Sequence, residues 1–470
     1  MTERLELVVI GAGPAGMEAA IAAAEANMAV TVIDGYARPG GQYFKQVSPP
    51  LKSDNLTARQ KQAEFLFGRM EELGVRVFSD TLVWNAYPAI EKGEWMLSLY
   101  GPGAPDSLQT KSLIIASGTY DRPVPFPGWT LPGVMTAGAV QIMLKTQQII
   151  PGHRFLLSGT GPLQLAVGAQ LIQAGAEVVA VLEANSVGLA QFRHAPAMWG
   201  QWAKLREGWD YWSTLRRAGV PLHYGRAVIE ARGQQEVEEV VTARLDTDMT
   251  PIPGTEQTVA VDTLVIGYGF LPSTELTRLL GCDHDYVPEQ LYYVPRRNDE
   301  MQTSLPGVYA AGDGAGVGGV ELSRIEGRIA GLAAARELGH LDAATARNLL
   351  AREQPALARE RRFARMLTEM FAIGPGFTAL AKDDTYICRC EEVTKQEIVE
   401  AIELGSDSLI WVKRMTRAGM GLCQGRVCGQ WIARLLAEQL NKDPVDMLLD
   451  TVRPPIRPIP MCSSEVSNND

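Results

Sequence analysis

From Leu5 to Ile10 the chain is a short apolar run that breaks at Gly11. An alanine-rich stretch of helical character follows to about Asn27, and a second apolar run, Ala29 to Ile33, ends at Asp34. Continuous apolar runs of this length, bounded by glycine, suit strands buried on both faces, so the segment predicts strand, helix and parallel strand. The order returns at Arg154 to Ser158, a helix to about Ala174, and Val178 to Leu182 ending in Glu183. Leu113-Ile114-Ile115 predicts a further buried strand. Beyond a helical stretch rich in Arg, Glu and Ala (Ala343 to Met370), Gly374-Pro375-Gly376 marks a boundary. Thr394-x-x-Glu397 then reads as a capping box opening a helix that ends near Gly405, and Gln430 to Leu440 sets Trp431, Leu435, Leu436 and Leu440 on related faces of another. Repeated strand-helix-strand units define an α/β fold with parallel sheets, followed by a small, mainly helical unit.

In the segment Ala197 to Arg217, Trp199, Trp202, Trp209 and Trp212 fall three, seven and three residues apart, which puts most of them along one helical face. Core packing is the default expectation for such a face; a protein interface is the alternative.

With 470 residues, 46% apolar and 21% charged, the chain can bury more than one core. Its formal net charge of -10 and the lack of any long Lys/Arg run argue against nucleic acid as a partner. The start, Met1 to Glu6, leads straight into the first strand, so we expect a first strand there rather than a leader. Later apolar stretches break well before the roughly 18 residues a spanning helix needs, so we expect no membrane insertion and a cytoplasmic protein. Four of the six cysteines cluster near the C-terminus, which suggests metal ligation rather than a disulfide framework. The five histidines are scattered and form no zinc-type pair.

Gly11-Ala12-Gly13-Pro14-Ala15-Gly16 joins the first strand to its helix. Gly11 permits the tight turn, Gly13 lets a pyrophosphate approach the backbone at the helix N-terminus, and Gly16 allows close helix-strand packing; Asp34 would hold ribose hydroxyls. Two further segments narrow the nucleotide to FAD. Ala116-Ser117-Gly118-Thr119 is a small-residue turn resembling the ATG motif of flavoproteins with two dinucleotide domains. Thr303 to Asp313 resembles their last FAD motif, in which Asp313, after Gly312, binds the ribityl chain and the next helix points its positive end at the flavin, favouring an anionic reduced ring. The glycines that follow (Gly314, Gly316, Gly318, Gly319) fit close backbone approach or simply a flexible turn. Gly40-Gly41-Gln42 is either a loop over the flavin or a surface turn, and Val83 completes the expected contacts of this site.

Gly159-Thr160-Gly161-Pro162-Leu163-Gln164 repeats the first loop with Gln164 in place of the third glycine, so its helix is expected to sit farther from its strand or to tilt. Glu183, like Asp34, would favour an unphosphorylated ribose. Three readings stay open: an NAD(H) site, a site for another adenine nucleotide, or a structural unit without nucleotide.

Cys388-x-Cys390, thirty-two residues and Cys423-x4-Cys428 supply four thiolates in two short-spaced pairs. The pairs suit iron-sulfur or zinc, or can remain unmetallated; beside a flavin, a one-electron carrier is the more useful choice, so [2Fe-2S] leads. The glycine-rich stretch Thr416 to Gly429 lets backbone N-H groups reach sulfide, and Arg417 or Arg426 could offset cluster charge. Cys282 and Cys462 belong to no pair and read as ordinary residues.

CRCEEVT followed by TRAGMGLCQGRVCG resembles the bacterioferritin-associated-ferredoxin-like [2Fe-2S] domain, whose four ligands then fall on Cys388, Cys390, Cys423 and Cys428. With GGQYFKQVSPP, FPGWTLPGVMTAGAVQ and RPPIRPIP, nearly the whole chain resembles the alpha-type component of heteromeric amino-acid and opine dehydrogenases. That group includes the A-type component of octopine or nopaline oxidase, the B-type component of hydrogen cyanide synthase and the alpha subunits of proline and hydroxyproline dehydrogenases. The resemblance implies a glutathione-reductase-like fold, an FAD-dependent oxidoreductase acting on CH-NH donors as part of a complex, and an electron relay. The beta subunit would resemble D-amino-acid oxidase and carry the substrate pocket; a small ferredoxin-like or other third subunit is part of the same picture. In some relatives the first site holds ATP or NAD, and in some FMN sits between subunits. No catalytic acid or base is expected on this chain. The expected divisions are 1-122 with 262-342 for FAD, 123-261 for the second nucleotide unit, 343-382 as helical linker, 383-445 for the cluster, and a Pro-rich tail, 446-470, disordered at its end.

Overall fold

A computed structural model describes residues 3-47, 57-186, 194-447 and 450-460. The first apolar run forms strand Glu3–Ile10 at the heart of a seven-stranded sheet. Parallel to it lie Val30–Ile33 on one side and Ser107–Ile115 on the other. Arg76–Phe78 extends the first side in parallel, and Trp95–Tyr100 and Leu82–Pro88 extend the second side antiparallel. Val308–Ala310 returns from far along the chain to pair in parallel with Ser107–Ile115.

Helix Pro14–Glu25 covers this sheet and packs on helix Val320–Glu337. The contact is backbone-close because Gly327 and Gly331, one helical turn apart, face the Ala15 and Ala19 carbonyls. A Cβ at either position would come within 2.0 and 2.3 Å of those oxygens, respectively. Two distant parts of the chain thereby form a single nucleotide-binding half.

The second sheet is wholly parallel, ordered Leu222–Tyr224, Glu177–Glu183, Arg154–Gly159, Thr263–Gly267 and Val134–Thr136. This corrects one expected boundary. Strand Thr263–Gly267, placed beyond the 261/262 division, is hydrogen-bonded to Arg154–Gly159 inside the second sheet, because its Leu264, Val265 and Ile266 are needed in that core. The chain crosses back at Phe270–Pro272, which pairs antiparallel with Thr119–Asp121.

The tryptophan helix departs from expectation in a second way. Helix Trp202–Arg217 buries Leu215, whereas Trp199, Trp202 and Trp209 are 77%, 62% and 63% exposed. The rings contact each other in pairs, Trp199 edge-on to Trp202 and Trp209 tilted against Trp212, instead of entering the core. Spacing gathered them on one face, but that face is turned outward.

Helix Ala343–Met370, capped by the Asp342 carboxylate, leads to the C-terminal unit. There the Thr394 capping box forms as predicted and starts helix Lys395–Glu403, followed by Leu409–Thr416 and Gly429–Leu440. This unit shares one apolar core with the second sheet, in which Phe126 and Trp129 join Ile387, Val412 and Trp431. Both indoles are also anchored across the junction: Trp129 Nε1 donates to the Tyr386 carbonyl (2.7 Å) and Trp431 Nε1 to the Pro123 carbonyl (3.0 Å). No helix among the described residues is long and apolar enough to cross a membrane.

Candidate functional site: a nucleotide fold joined to a four-cysteine loop

At the first glycine loop, Gly11 has φ +100° and its missing side chain is obligatory, since a Cβ would stand 2.4 Å from the Ala116 carbonyl oxygen. Gly16 is tighter still, with a Cβ falling 1.8 Å from the Gly11 oxygen. Gly13 is different. Only the Gly41 Cα approaches its open face, at 3.9 Å, and Pro14 and Ala15 follow it as the first residues of a helix, where the first-turn N-H groups from Ala15 onward have no partner within the helix. That combination of open backbone and helix N-terminus fits a pyrophosphate.

The Asp34 carboxylate accepts from the Ala12 N-H (2.5 Å) and the Tyr36 N-H (2.8 Å), so it fastens the glycine loop to the end of the second strand. Burial lifts its pKa above the usual carboxylate range, although both backbone donors pull the other way. Gly40 donates to the Ala12 carbonyl (2.7 Å), and a Cβ on Gly41 would meet the Gly13 Cα at 2.9 Å. The Gly40-Gly41-Gln42 turn is therefore folded onto the glycine loop. The Gln42 amide donates to the Tyr36 hydroxyl (2.7 Å). Val83 is buried in the core that contains Ile10 and Ile33.

Ser117-Gly118 and Gly312-Asp313 meet at the same end of the sheet. A Cβ on Gly314 would lie 3.0 Å from both Ser117 Oγ and the Gly118 nitrogen, and one on Gly312 would lie 2.7 Å from the Ala15 Cβ. Asp313 Oδ1 accepts from the Gly318 and Gly319 N-H groups, both at 2.9 Å, and from Ser323 Oγ at 3.3 Å, so the acid is held at the start of helix Val320–Glu337. Burial raises its pKa, opposed by those same donors. Glu326 braces the turn from below. It takes the Gly312 N-H at 3.0 Å and both terminal nitrogens of Arg297 at 2.7 and 2.8 Å.

The second loop brings Gly159, Gly161 and Glu183 together by similar means. The Gly161 N-H donates to Glu183 Oε2 (2.9 Å) and the Asn185 N-H to Oε1 (2.9 Å); burial raises the Glu183 pKa. Gln164 is 2% exposed, and its amide nitrogen spans the Ser158 and Gly267 carbonyls (3.2 and 3.1 Å), filling the space that a glycine would close.

In the C-terminal unit, Cys388 ends strand Tyr386–Cys388 and Cys428 caps helix Gly429–Leu440; both are buried, whereas Cys423 is half-buried and Cys390 exposed. The thiols form a run, with Cys428 in hydrogen-bonding contact with Cys388 and Cys423, and Cys423 with Cys390. The Cys428 contact lowers Cys423 to about 5 and Cys388 to about 6, against the effect of burial. Cys428 moves well above its ordinary value through the same two contacts, and burial raises Cys390. The Gly419 N-H lies 3.5 Å from Cys388 Sγ, and a Cβ on Gly421 would collide with Cys390 at 2.3 Å. Among the described residues no three or more His, Cys, Asp or Glu side chains converge as the ligands of one ion would. A two-iron cluster instead distributes its thiolates over two irons, and four adjacent thiols backed by a glycine N-H and a helix N-terminus fit that requirement. Of the two arginines expected near the cluster, Arg417 is 71% exposed and pairs with Glu391 (3.0 Å); Arg426 turns inward. Cys282 is buried, its thiol 3.5 Å from Thr303 Oγ1, and Cys462 lies outside the described residues.

Residues 5–339 match the pyridine nucleotide-disulphide oxidoreductase family, and 386–438 match the BFD-like [2Fe-2S] binding domain. The chain belongs to the pyridine nucleotide-disulphide oxidoreductase family. It is similar to hydrogen cyanide synthase subunit HcnB of Pseudomonas protegens, 32% identical over 99% of this chain and 100% of that one. The A-type component of opine oxidase from Agrobacterium tumefaciens is 31% identical over 98% and 91%. The crystal structure of L-proline dehydrogenase from P. horikoshii has the same fold, with a TM-score of 0.69 at 18% identity, covering 98% of this chain and 80% of that one. This member of the family is thus an FAD-dependent oxidoreductase with a C-terminal [2Fe-2S] domain, of the alpha type that the motifs implied. It has no cysteine between residues 1 and 281, so the thiol pair of a disulfide reductase is missing from that stretch.

Two functional contacts escaped the sequence. Arg122 is fully buried and spends its guanidinium on backbone carbonyls of Phe270 (3.1 Å) and Gln290 (2.6 Å), fixing the crossover between the two nucleotide units. Burial lowers its pKa to about 10. Glu275 pairs with Arg426 across 151 positions of sequence, a separation that no local pattern encodes.

Proposed function

We propose that this chain is the electron-transfer subunit of a heteromeric dehydrogenase or oxidase of an amino acid, imino acid or opine. A partner subunit resembling D-amino-acid oxidase would remove two electrons and two protons from the substrate, and this chain would pass the electrons to an acceptor. Bound FAD supplies a two-electron carrier and the cluster a one-electron carrier. Residues Gly11, Gly13, Pro14, Ala15, Gly16, Asp34, Gly41, Gln42, Val83, Ser117, Gly118, Gly312 and Asp313 would surround the first, and Cys388, Cys390, Cys423 and Cys428 would hold the second. The observation that carries this reading is the direct ion pair between Glu275, beside the Ser117 turn, and Arg426, inside the cysteine loop, which ties the two cofactor units into one body. The names of the relatives support a partner, since the hydrogen cyanide synthase and opine oxidase proteins are each named as one subunit of their enzyme. FMN at the interface, a third subunit, and a cytoplasmic setting complete the same reading.

Affinity purification of the native complex, with iron, sulfide and each flavin quantified separately, tests it. Rapid flavin bleaching by an amine substrate should require the partner. Cys423→Ser should lose the cluster and delivery to one-electron acceptors while keeping flavin. Full iron and turnover in that variant would sink the relay.

A self-contained NADH-dependent reductase is the second reading, favoured by the way Glu183 is set at its loop as Asp34 is at the first. It requires prompt bleaching of the isolated chain by NADH.

A further inference from the structure

Arg426 lies between Cys423 and Cys428, yet its side chain leaves the loop and is only 7% exposed. Its Nη1 donates to the Cys423 carbonyl (3.2 Å) and its Nη2 to the Ile456 carbonyl of the C-terminal tail (2.7 Å). Its Nε stands 2.8 Å from Glu275 Oε1, an ionic contact not aligned as a hydrogen bond. Glu275, 14% exposed, also accepts from the Tyr120 hydroxyl and from Ser273 Oγ, each at 2.8 Å. The Ser273 carbonyl in turn accepts from Ser117 Oγ (2.7 Å), in the turn that abuts Gly314. A chain of polar contacts therefore runs from a ligand-bearing cysteine backbone to the first nucleotide site. The tail is part of the clamp, since Ile456 N-H donates to the Trp84 carbonyl (2.9 Å) and Gln424 donates to the Pro455 carbonyl (2.9 Å).

The charges here are unevenly matched. Arg278 and Arg457 lie near the pair and are largely desolvated, while Asp450 is engaged by Lys413 and, through its carbonyl, by Arg278. Glu275 is the carboxylate in contact with Arg426, so removing either member of that pair changes the charge on the Cys423 side of the cluster while the other charged groups stay in place. Cluster potentials respond to nearby charge and to solvent exposure.

We infer that Arg426 is a positioning residue that locks the cysteine loop onto the Ser117-Glu275 edge of the FAD unit, and that its balance with Glu275 sets the reduction potential of the cluster. This rests on the electron-relay reading above. A cation near the cluster favours the reduced, more negative state, so loss of Arg426 should lower the potential and loss of the Glu275 charge should raise it.

The test uses the full chain in its complex, with iron, sulfide and flavin content measured first. Cluster potential is then read by a mediated redox titration followed by electron paramagnetic resonance. Arg426→Met should shift the midpoint negative, Glu275→Gln should shift it positive, and the double variant should return near the parent value. Arg426→Lys, keeping charge but losing the planar fork, should hold the potential while slowing flavin-to-cluster transfer severalfold. Shifts of the same sign, or no shift with intact iron, would overturn the inference. So would loss of iron from both single variants and the double variant, which would reduce Arg426 to a contact of the fold. Absence of iron from the parent complex would instead overturn the relay reading itself.

Discussion

The two glycine loops share Gly-x-Gly-Pro and part company at their sixth residue, Gly16 in the first and Gln164 in the second. The first loop places its positive φ at Gly11, whereas in the second it falls at Gly161 (φ +99°), two positions later. Helix Pro14–Glu25 starts directly on its proline, while helix Leu163–Gln173 starts one residue beyond Pro162. At the sixth position the first loop closes by the bare Gly16 backbone against the Gly11 carbonyl, and the second by a side-chain amide wedged between two strand ends. One motif thus yields two different turns, and the presentation of backbone N-H groups to a phosphate need not be the same in both. Phe371, at the end of the long helix Ala343–Met370, also lies against the second loop, 3.9 Å from where a Gly161 Cβ would be.

The contrast is broken most directly at Gly16. A methyl group at Gly16→Ala cannot be accommodated without moving backbone, and we expect a loss of about 3 kcal/mol or more, together with the flavin. Flavin-to-protein ratio and thermal denaturation check it; a yellow, stable variant would mean that the close packing is dispensable. At the corresponding place, Gln164→Ala removes the side-chain donor shared by the Ser158 and Gly267 carbonyls, of which Gly267 keeps the Thr160 N-H, and should cost about 1-3 kcal/mol with flavin retained. Denaturant unfolding followed at the flavin and at tryptophan would separate the two units, and coincident loss of flavin would show that the loops are not independent. Gly161→Ala is milder, about 1 kcal/mol from the positive φ, because its Cβ meets only the Phe371 ring at ordinary contact distance.

The smallest effect is expected from pH. Burial raises both Asp34 and Glu183 above the ordinary carboxylate range. Between the unfolded value near 4 and the raised folded value, each acid holds a proton that the unfolded chain has shed. Stability contributed this way is present at low pH, declines as pH rises through that window, and is level above it. Glu183→Gln should flatten the part of the slope that belongs to the second unit while leaving the flavin spectrum alone, whereas Asp34→Asn should disturb both. An unchanged slope in Glu183→Gln would place the titration elsewhere.

Much of the fold was legible because its signals are local. A strand ending in Gly11, a helix and a strand ending in Asp34 lie within one stretch of chain, as does the Thr394 capping box. The four cysteines stood out as a candidate metal set because thiols in short-spaced pairs have few other uses in such a chain. Where the reading missed, the deciding partner was remote. Thr263–Gly267 joins the second sheet because strand Arg154–Gly159 has an open edge to fill, and the tryptophan face turned outward because Leu215 alone meets the core. Periodicity reports which residues share a face; it carries no information on what that face meets.

The sequence by itself determined two glycine-loop units, the cluster of thiols near the C-terminus and the family, since each depends on residues close together along the chain. Tertiary structure decided that Gly327 and Gly331 dock on Ala15 and Ala19, that Gln164 fills a gap, and that Arg426 reaches Glu275. Those outcomes depend on contacts between segments from 103 to 312 residues apart, whose distances and burial arise only when the chain has closed on itself.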